Sequence, residues 1–321
     1  MVARTLIGNS DIEVAPLCLG GNVFGWTADR DASFAVLDAF LDGEGNFVDT
    51  ADGYSAWADG HTGGESETII GEWMRARGTR DHLVIATKVA THPDFKGLAA
   101  ANVRAAADAS LMRLGVDHID VYYAHFDDPE TPIAETAAAF SALVDAGKIR
   151  AVAISNYTAE RAQEWFDAAR AGGLHLPMAL QPKYNLVERG FETNGLRDIA
   201  VAENLSVFPY PSLAGGFLAG KYRDVADTEQ GTSPRAEGAA KYLDARGRAV
   251  LTALDEIARA HSADVASVSL AWLREQPTVG GPLASVSRAD QLPALIASMS
   301  LNLAAEEIDA LNAASALADD A

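Results

Sequence analysis

Leu83-Val84-Ile85-Ala86-Thr87-Lys88, then an alanine-rich run over residues 98–114, then Val121-Tyr122-Tyr123-Ala124-His125, is the stretch on which the fold turns. The outer runs are short, apolar and rich in β-branched or aromatic side chains, which suits strands buried on both faces. The middle run is amphipathic at helical spacing. The same alternation extends in both directions. Strand-like runs occupy 16–19, 46–49, 83–88, 119–125, 149–155, 178–181, 206–209 and 282–285. Helix-like runs lie at 31–42, 65–77, 98–114, 132–146, 159–171, 195–203, 265–275 and 288–297. Eight strands, each followed by a helix, predict an α/β chain folded as one (β/α)8 TIM barrel over residues 1–321. A doubly wound sheet would need a shorter alternation and a glycine-rich strand–helix turn, and neither is present.

Three segments fall outside the repeat. Residues 5–14 read as an N-terminal hairpin turning at Asn9-Ser10 and suited to plugging one end of the barrel. Residues 221–243 form a long polar, lid-like insertion containing Gly231, Pro234 and Gly238; loops of this length are usually functional or disordered. Residues 304–317 predict an extra C-terminal helix.

Composition narrows the function. Of 321 residues, 25 are Lys or Arg and 45 are Asp or Glu, for a formal charge of −20. That balance argues against nucleic acid and against anionic membrane surfaces, which need basic patches. An anionic ligand would need a local island of positive charge. The single cysteine, Cys18, cannot form an internal disulfide and fits a reducing, cytoplasmic setting. Residues 1–17 lack the basic and apolar regions of a secretory leader, and no apolar run is long enough to span a bilayer.

In a barrel, chemistry gathers at the C-terminal ends of the strands. There the sequence places Asp49, Lys88 and His125 on three consecutive strands, Ser155 and Asn156 on the fifth, Gln181 on the sixth, and Tyr210 after the seventh. Each residue alone has an ordinary structural role: a turn cap for Asp49, a snorkelling amine for Lys88, a packed ring for His125. Their conjunction points to one axial site. Tyr54, five residues beyond Asp49, belongs to the same loop. A Lys88 ammonium, kept charged by Asp49, is expected to lower the pKa of the Tyr54 phenol. Such a phenol would protonate an oxygen on which negative charge develops, with His125 bonded to the same oxygen. Hydride addition to a carbonyl is chemistry of this kind, and the hydride must come from a cofactor.

These residues stand in motifs that resemble the aldo-keto reductase family. Phe47-Val48-Asp49-Thr50-Ala51-Asp52-Gly53-Tyr54 followed by Gly64-Glu65-Ser66-Glu67 is similar to its signature, as are Ile85-Ala86-Thr87-Lys88 and His125 with Asp128-Pro129-Glu130-Thr131-Pro132-Ile133. Gly147-Lys148-Ile149-Arg150 leading to Ser155-Asn156-Tyr157 resembles the family's fifth strand. Gln181 with Tyr184-Asn185-Leu186 and Arg189, and Leu213-Ala214-Gly215-Gly216-Phe217-Leu218 with Gly220-Lys221, continue the likeness over about residues 4–292. The pattern is nearest to the bacterial branch related to potassium-channel β-subunits. The resemblance implies NADP(H), favoured over NAD(H), and a small-molecule carbonyl substrate. It implies Tyr54 as proton donor, tuned by Asp49 and Lys88, with His125 orienting the carbonyl. Ser155, Asn156 and Gln181 would hold the nicotinamide carboxamide, and Tyr210 would stack on its ring. Ser212, Leu213, Gly215, Leu218 and Lys221 would hold the diphosphate. Ser285, Ser287, Arg288 and Gln291 would hold the adenosine phosphate, with Arg288 bonded to the 2′-phosphate.

Two features depart from the family pattern. Tyr210-Pro211-Ser212 stands where the family usually reads Tyr-Ser-Pro, and Ala294-Leu295 replaces a common Glu-Asn pair. Phe24, Trp26, Trp57 and Phe126 are the expected substrate walls, suited to an aromatic, alicyclic or sugar-like carbonyl. Asp127 and Asp128 predict a negatively charged mouth that disfavours anionic substrates. For residues 221–243, a cover over the cofactor and a disordered surface loop are both open. Two other functional classes are open: a cofactor-binding sensor or partner subunit with slow turnover, and a metal-dependent barrel hydrolase. The second lacks ligands, since only Asp49 and His125 stand at suitable strand ends. Oligomeric state is not readable from the sequence.

Overall fold

The computed structural model describes residues 2–229 and 236–316. Eight strands form one parallel sheet: β1 (Cys18–Gly20), β2 (Phe47–Asp49), β3 (Val84–Val89), β4 (Ile119–Ala124), β5 (Ile149–Ser155), β6 (Ala179–Gln181), β7 (Ser206–Val207) and β8 (Leu283–Ala284). The spatial order is β7-β6-β5-β4-β3-β2-β1-β8. The two edges meet through Val207 N–H donating to Thr278 O (2.8 Å), Gly280 N–H to Val207 O (2.9 Å) and Leu283 N–H to Pro209 O (3.0 Å). The sheet is therefore closed, and every strand expected from the sequence is present.

Helices α1 (Arg30–Asp42), α2 (Glu65–Arg77), α3 (Ala100–Leu114), α4 (Ile133–Asp145), α5 (Ala159–Gly172) and α6 (Leu196–Ala202) follow the first six strands in turn. Between β7 and β8 the chain forms a 3-10 turn (Ala214–Ala219), two short helices (Val225–Glu229 and Ala236–Ala240), α7 (Ala245–His261) and α8 (Val265–Arg274). After β8 come α9 (Leu292–Ala297) and α10 (Ala305–Ala314). Among the elements not anticipated are α7, the two short helices in the insertion, and a small hairpin pairing Thr91–His92 with Phe95–Lys96 just past β3. Residues 230–235 of the predicted insertion and residue 317 of the predicted C-terminal helix lie outside the described residues. Among the described residues, no helix is long and apolar enough to cross a membrane.

Strand alternation sorts the core into two shells. Ile85 and Val89 of β3 and Tyr122 and Ala124 of β4 point outward, into the layer between sheet and helices. Cys18, Phe47, Val84, Ala86, Val121, Tyr123, Ala151, Ala153, Ala179 and Phe208 fill the interior. Small alanines there leave room for the large rings, as a packed barrel requires. The hairpin of Thr5–Leu6 and Glu13–Val14 closes the N-terminal end, adding Ile7, Ile12 and Val14 to the interior cluster. Its turn is pinned by Gly8, which adopts φ +53°; a Cβ there would stand 2.6 Å from Met178 O. Asn46 fastens the hairpin to β2 by donating to Glu13 O (2.9 Å) and accepting from Ala15 N–H (2.7 Å).

Candidate active site

The same alternation positions the polar residues. Phe47 points inward, so Asp49 does also; Ala86 inward brings Lys88, Tyr123 inward brings His125, Ala153 brings Ser155, and Ala179 brings Gln181. All five step off the C-terminal end of the interior core. Parallel register pairs Asp49 with Ala86 and Lys88 with Tyr123, which brings the two charged groups together across β2 and β3.

At this end Lys88 Nζ donates to Asp49 Oδ2 (2.5 Å), Thr50 O (2.7 Å) and Tyr54 Oη (2.9 Å). Lys88 and Asp49 are fully buried. A lone buried charge would be prohibitive, but here the ammonium spends three donors on three acceptors. The second carboxylate oxygen of Asp49 accepts from Gln181 Nε2 (3.0 Å). The expected lowering of the Tyr54 pKa is not what this surrounding produces. Burial, and then the negative charge of Asp49, push the phenol well above its ordinary value. Tyr54 is thus firmly neutral and carries its proton.

The His125 ring faces Tyr54 edge-on, with centroids 6.0 Å apart, and its Nδ1 lies 3.4 Å from Thr91 Oγ1. Burial, and then the Lys88 ammonium, hold its imidazole well below the usual histidine range. It too is neutral. Asn156, in a left-handed conformation at φ +58°, donates to His125 O (2.8 Å) and Ser155 Oγ (3.1 Å) and accepts from the Tyr210 hydroxyl. Ser155 Oγ donates to Gln181 O (2.8 Å). These bonds tie the ends of β4, β5 and β6 to the Tyr210 ring.

A cavity of about 1040 Å³ opens above this floor. Of the anticipated residues, Tyr54, His125, Gln181, Tyr210, Ser212, Leu213, Gly215, Lys221, Ser285, Ser287 and Gln291 line it. Asp49, Lys88, Ser155 and Asn156 lie beneath it and act on its floor through the bonds above. Leu218 is buried, with its carbonyl accepting from Ser269 Oγ (2.8 Å). Arg288 is exposed and paired with Asp290 (3.0 Å). Beyond Tyr210, the Pro211 carbonyl accepts from Asn185 Nδ2 (2.9 Å), and Ser212 Oγ donates to Pro209 O (2.8 Å). Ala294 and Leu295 are part of the wall. The loop at Ala214, Gly215 and Gly216 has φ of +47°, +69° and +105°.

None of the four expected substrate walls, Phe24, Trp26, Trp57 and Phe126, is among the residues that line this cavity. Trp26 and Trp57 meet edge to face at 5.5 Å, Trp57 lies 6.0 Å from the Tyr54 ring, and Phe126 lies 4.9 Å from His125. Phe24 must be reassigned: it is fully buried in the layer beneath the helices, and its carbonyl accepts from Ser55 Oγ (2.9 Å). The two acids expected at the mouth are both engaged within their own loop. Asp127 forms a two-pronged bond with Arg161 (2.8 and 2.9 Å). Asp128 accepts from Leu98 N–H, Glu130 N–H and Thr131 Oγ1. Both carboxylates hold the loop together. The sequence reading missed Asn22, Lys183, Lys241 and Tyr242 in the cavity wall. Asn22 had no strand-end signal and is identified only by its bond to Ser285 Oγ (2.6 Å).

A second buried polar cluster lies behind the Tyr54 loop. Glu67 accepts from Thr87 Oγ1 (2.5 Å) and Arg113 Nε (2.6 Å). Beside it, the fully buried Asp52 carboxyl has no hydrogen-bond partner on either oxygen, Gly53 N–H offering only a weak contact. Burial, and then the Glu67 charge, raise its pKa to about 8. Cys18, at the start of β1, is fully buried, and burial drives its thiol pKa up.

Known proteins match this arrangement along its length. The model of the Aldo/keto reductase family matches residues 16–316. Norsolorinic acid reductase B of Aspergillus parasiticus is 30% identical over 331 residues, covering 96% of this chain and 82% of that protein. Aryl-alcohol dehydrogenase GME11368 of Pestalotiopsis microspora is 30% identical over 321 residues, covering 95% and 80%. Aldo-keto reductase YhdN of Bacillus subtilis is 33% identical over 303 residues, covering 92% and 86%. Matched in family model, barrel and relatives alike, the chain belongs to the aldo/keto reductase family of nicotinamide-dependent oxidoreductases.

Proposed function

We propose that the protein reduces an aldehyde or ketone to an alcohol with NADPH, using Tyr54 as the proton donor. The observation that carries this reading is the Lys88 ammonium, bonded at once to Asp49 Oδ2 and Tyr54 Oη on the floor of the cavity.

The residues present fit a dinucleotide. Tyr210 offers a ring face beside the floor, the positive-φ loop over Ala214–Gly216 brings backbone close to the cavity, and Lys221 adds positive charge. In this reading Gln181, Asn156 and Ser155 orient the nicotinamide amide. Ser212, Leu213, Gly215, Leu218 and Lys221 hold the diphosphate, and Ser285, Ser287 and Gln291 hold the adenosine end. Arg288 prefers a 2′-phosphate by exchanging Asp290 for it, which makes NADP(H) the favoured form. When bound, the reduced nicotinamide supplies the hydride that no side chain can.

The chain's own part is proton handling. Tyr54 arrives protonated, because burial and Asp49 disfavour phenolate. As charge grows on the carbonyl oxygen, Tyr54 Oη releases its proton to it, and the phenolate left behind is met by Lys88 Nζ at 2.9 Å. Neutral His125 donates an N–H to the same oxygen without competing as an acid. Trp26, Trp57 and Phe126 keep water off the reacting centre and suit an aromatic or alicyclic substrate. The relatives named for norsolorinic acid reduction and aryl-alcohol dehydrogenation support that class.

The test is loss of absorbance at the nicotinamide band with a panel of aldehydes and ketones, run with NADPH and with NADH. The native chain should consume NADPH faster than NADH. Tyr54→Phe should lose about 10²–10⁴-fold in rate while melting at nearly the native temperature. NADPH binding without consumption of any panel member would support a sensor subunit instead.

A further inference from the structure

The cavity wall carries charge opposite to that of the protein. The chain as a whole stands at −20, yet among the described residues the wall holds three lysines, Lys183, Lys221 and Lys241, and one acid, Asp264. Asp264 precedes α8, whose Ser267 and Ser269 bond to Ala294 O and Leu218 O, so it belongs to the side lined by Ala294 and Leu295. Lys221 ends the 214–220 loop. Lys183 and Lys241 are elsewhere. Lys183 is two residues past Gln181 and bridges to Tyr210 in parallel register, so it stands at the lip of the catalytic floor. Lys241 reaches it from the far side of the insertion.

The two ammonium groups converge on one carboxylate oxygen. Lys183 Nζ is 3.2 Å and Lys241 Nζ 3.0 Å from Glu188 Oε1, and the Tyr242 hydroxyl donates to the same atom at 2.7 Å. One oxygen has two lone pairs, whereas each ammonium carries three N–H donors. Glu188 offsets one positive charge of the two and is not itself part of the cavity wall. The pair therefore presents surplus positive charge and spare donors to the cavity that Tyr54 also lines, with Lys183 beside Tyr210. Asp127 is paired with Arg161, Asp128 keeps its charge on the amides of Leu98 and Glu130, and neither belongs to the cavity wall.

We infer that Lys183 and Lys241 form an anion subsite for the substrate, so that the preferred carbonyl compound joins an aromatic or alicyclic body to a carboxylate. This rests on the reductase reading above. The apolar body lies against Trp57 and Phe126, and the carboxylate takes the donors that Glu188 leaves unfilled.

The experiment compares two aldehydes that differ only in charge, 4-carboxybenzaldehyde and methyl 4-formylbenzoate, at saturating NADPH. It uses the native chain, the double variant Lys183→Gln/Lys241→Gln, and Lys148→Gln, which removes a positive charge paired with Asp108 outside the cavity. The expected result is a kcat/KM ratio of about tenfold in favour of the carboxylate, carried by KM. That ratio should collapse towards one in the double variant and persist in Lys148→Gln. An equal ratio in native and double variant overturns the subsite. So does a loss that appears instead as weaker NADPH binding by fluorescence, because the lysines would then serve the cofactor. If neither aldehyde is consumed, the reductase reading fails. Calorimetry of the two matching alcohols still reads the lysine pair: about tenfold tighter binding of the carboxylate supports it, and equal binding sinks it.

Discussion

Asp49 and Asp52 are three residues apart and both fully buried, yet they live in opposite surroundings. Asp49 has a lysine on one oxygen and an amide on the other. Asp52 has no partner on either, and a neighbouring carboxylate, Glu67, adds repulsion. Burial is common to both, so burial does not set the charge. The supply of donors does: one site carries an ion pair, the other a carboxyl held neutral up to about pH 8.

The hardest blow to this contrast is Lys88→Met, which would leave Asp49 with the same poverty of charge as Asp52. A loss of about 3–5 kcal/mol is expected in denaturant titrations, because Asp49 must then either stay ionised without a partner or take up a proton in a buried site. Activity should vanish with it. Asp52→Asn sharpens the comparison from the other side. Folded Asp52 keeps its proton up to about pH 8, whereas the unfolded chain releases it near 3.8. Between those values the folded state binds more protons, so stability falls as pH rises, by up to about 1.4 kcal/mol per pH unit. The Asn variant should lack that slope, so its advantage in melting temperature should grow from pH 4 to pH 8 and then level off. A pH-independent difference would mean that Asp52 is ionised as readily as any surface acid. The smallest effect belongs to Thr87→Val, which removes one donor from Glu67 but leaves Arg113. About 1–2 kcal/mol is expected, read as a shift of the urea midpoint at constant slope.

The contrast also marks where sequence reading reached its limit. Asp49, Lys88, His125, Ser155 and Gln181 were legible because a period of two along a strand fixes which residues share a face, and the interior face ends at the site. The eight strands were legible for the same reason, being short β-branched runs. The orphan state of Asp52 was not, since it depends on Glu67 and Arg113 arriving from two helices. Phe24 was misread because adjacent loop aromatics carry no periodicity that separates wall from core. Lys183 and Lys241 are brought together by a fold-level meeting of the β6 loop with the insertion. The helix α7 is a different matter. Its buried face, Gly247, Val250, Leu251, Leu254, Ile257 and Ala258, has proper helical spacing, and Asp244 caps it by accepting from Gly247 N–H at 2.7 Å. That signal was in the sequence, hidden beside a long polar segment.

Cys18 has a use that its place in the barrel creates. It is the chain's single thiol, carried by β1 into the barrel interior beneath the Asp49–Lys88 pair, with its thiolate form disfavoured by burial. A thiol reagent can reach it only when the strands part. Its labelling rate is therefore a native clock for barrel opening, and the extent to which a nicotinamide cofactor slows that clock measures, without any catalysis, how strongly the ligand clamps the strands shut.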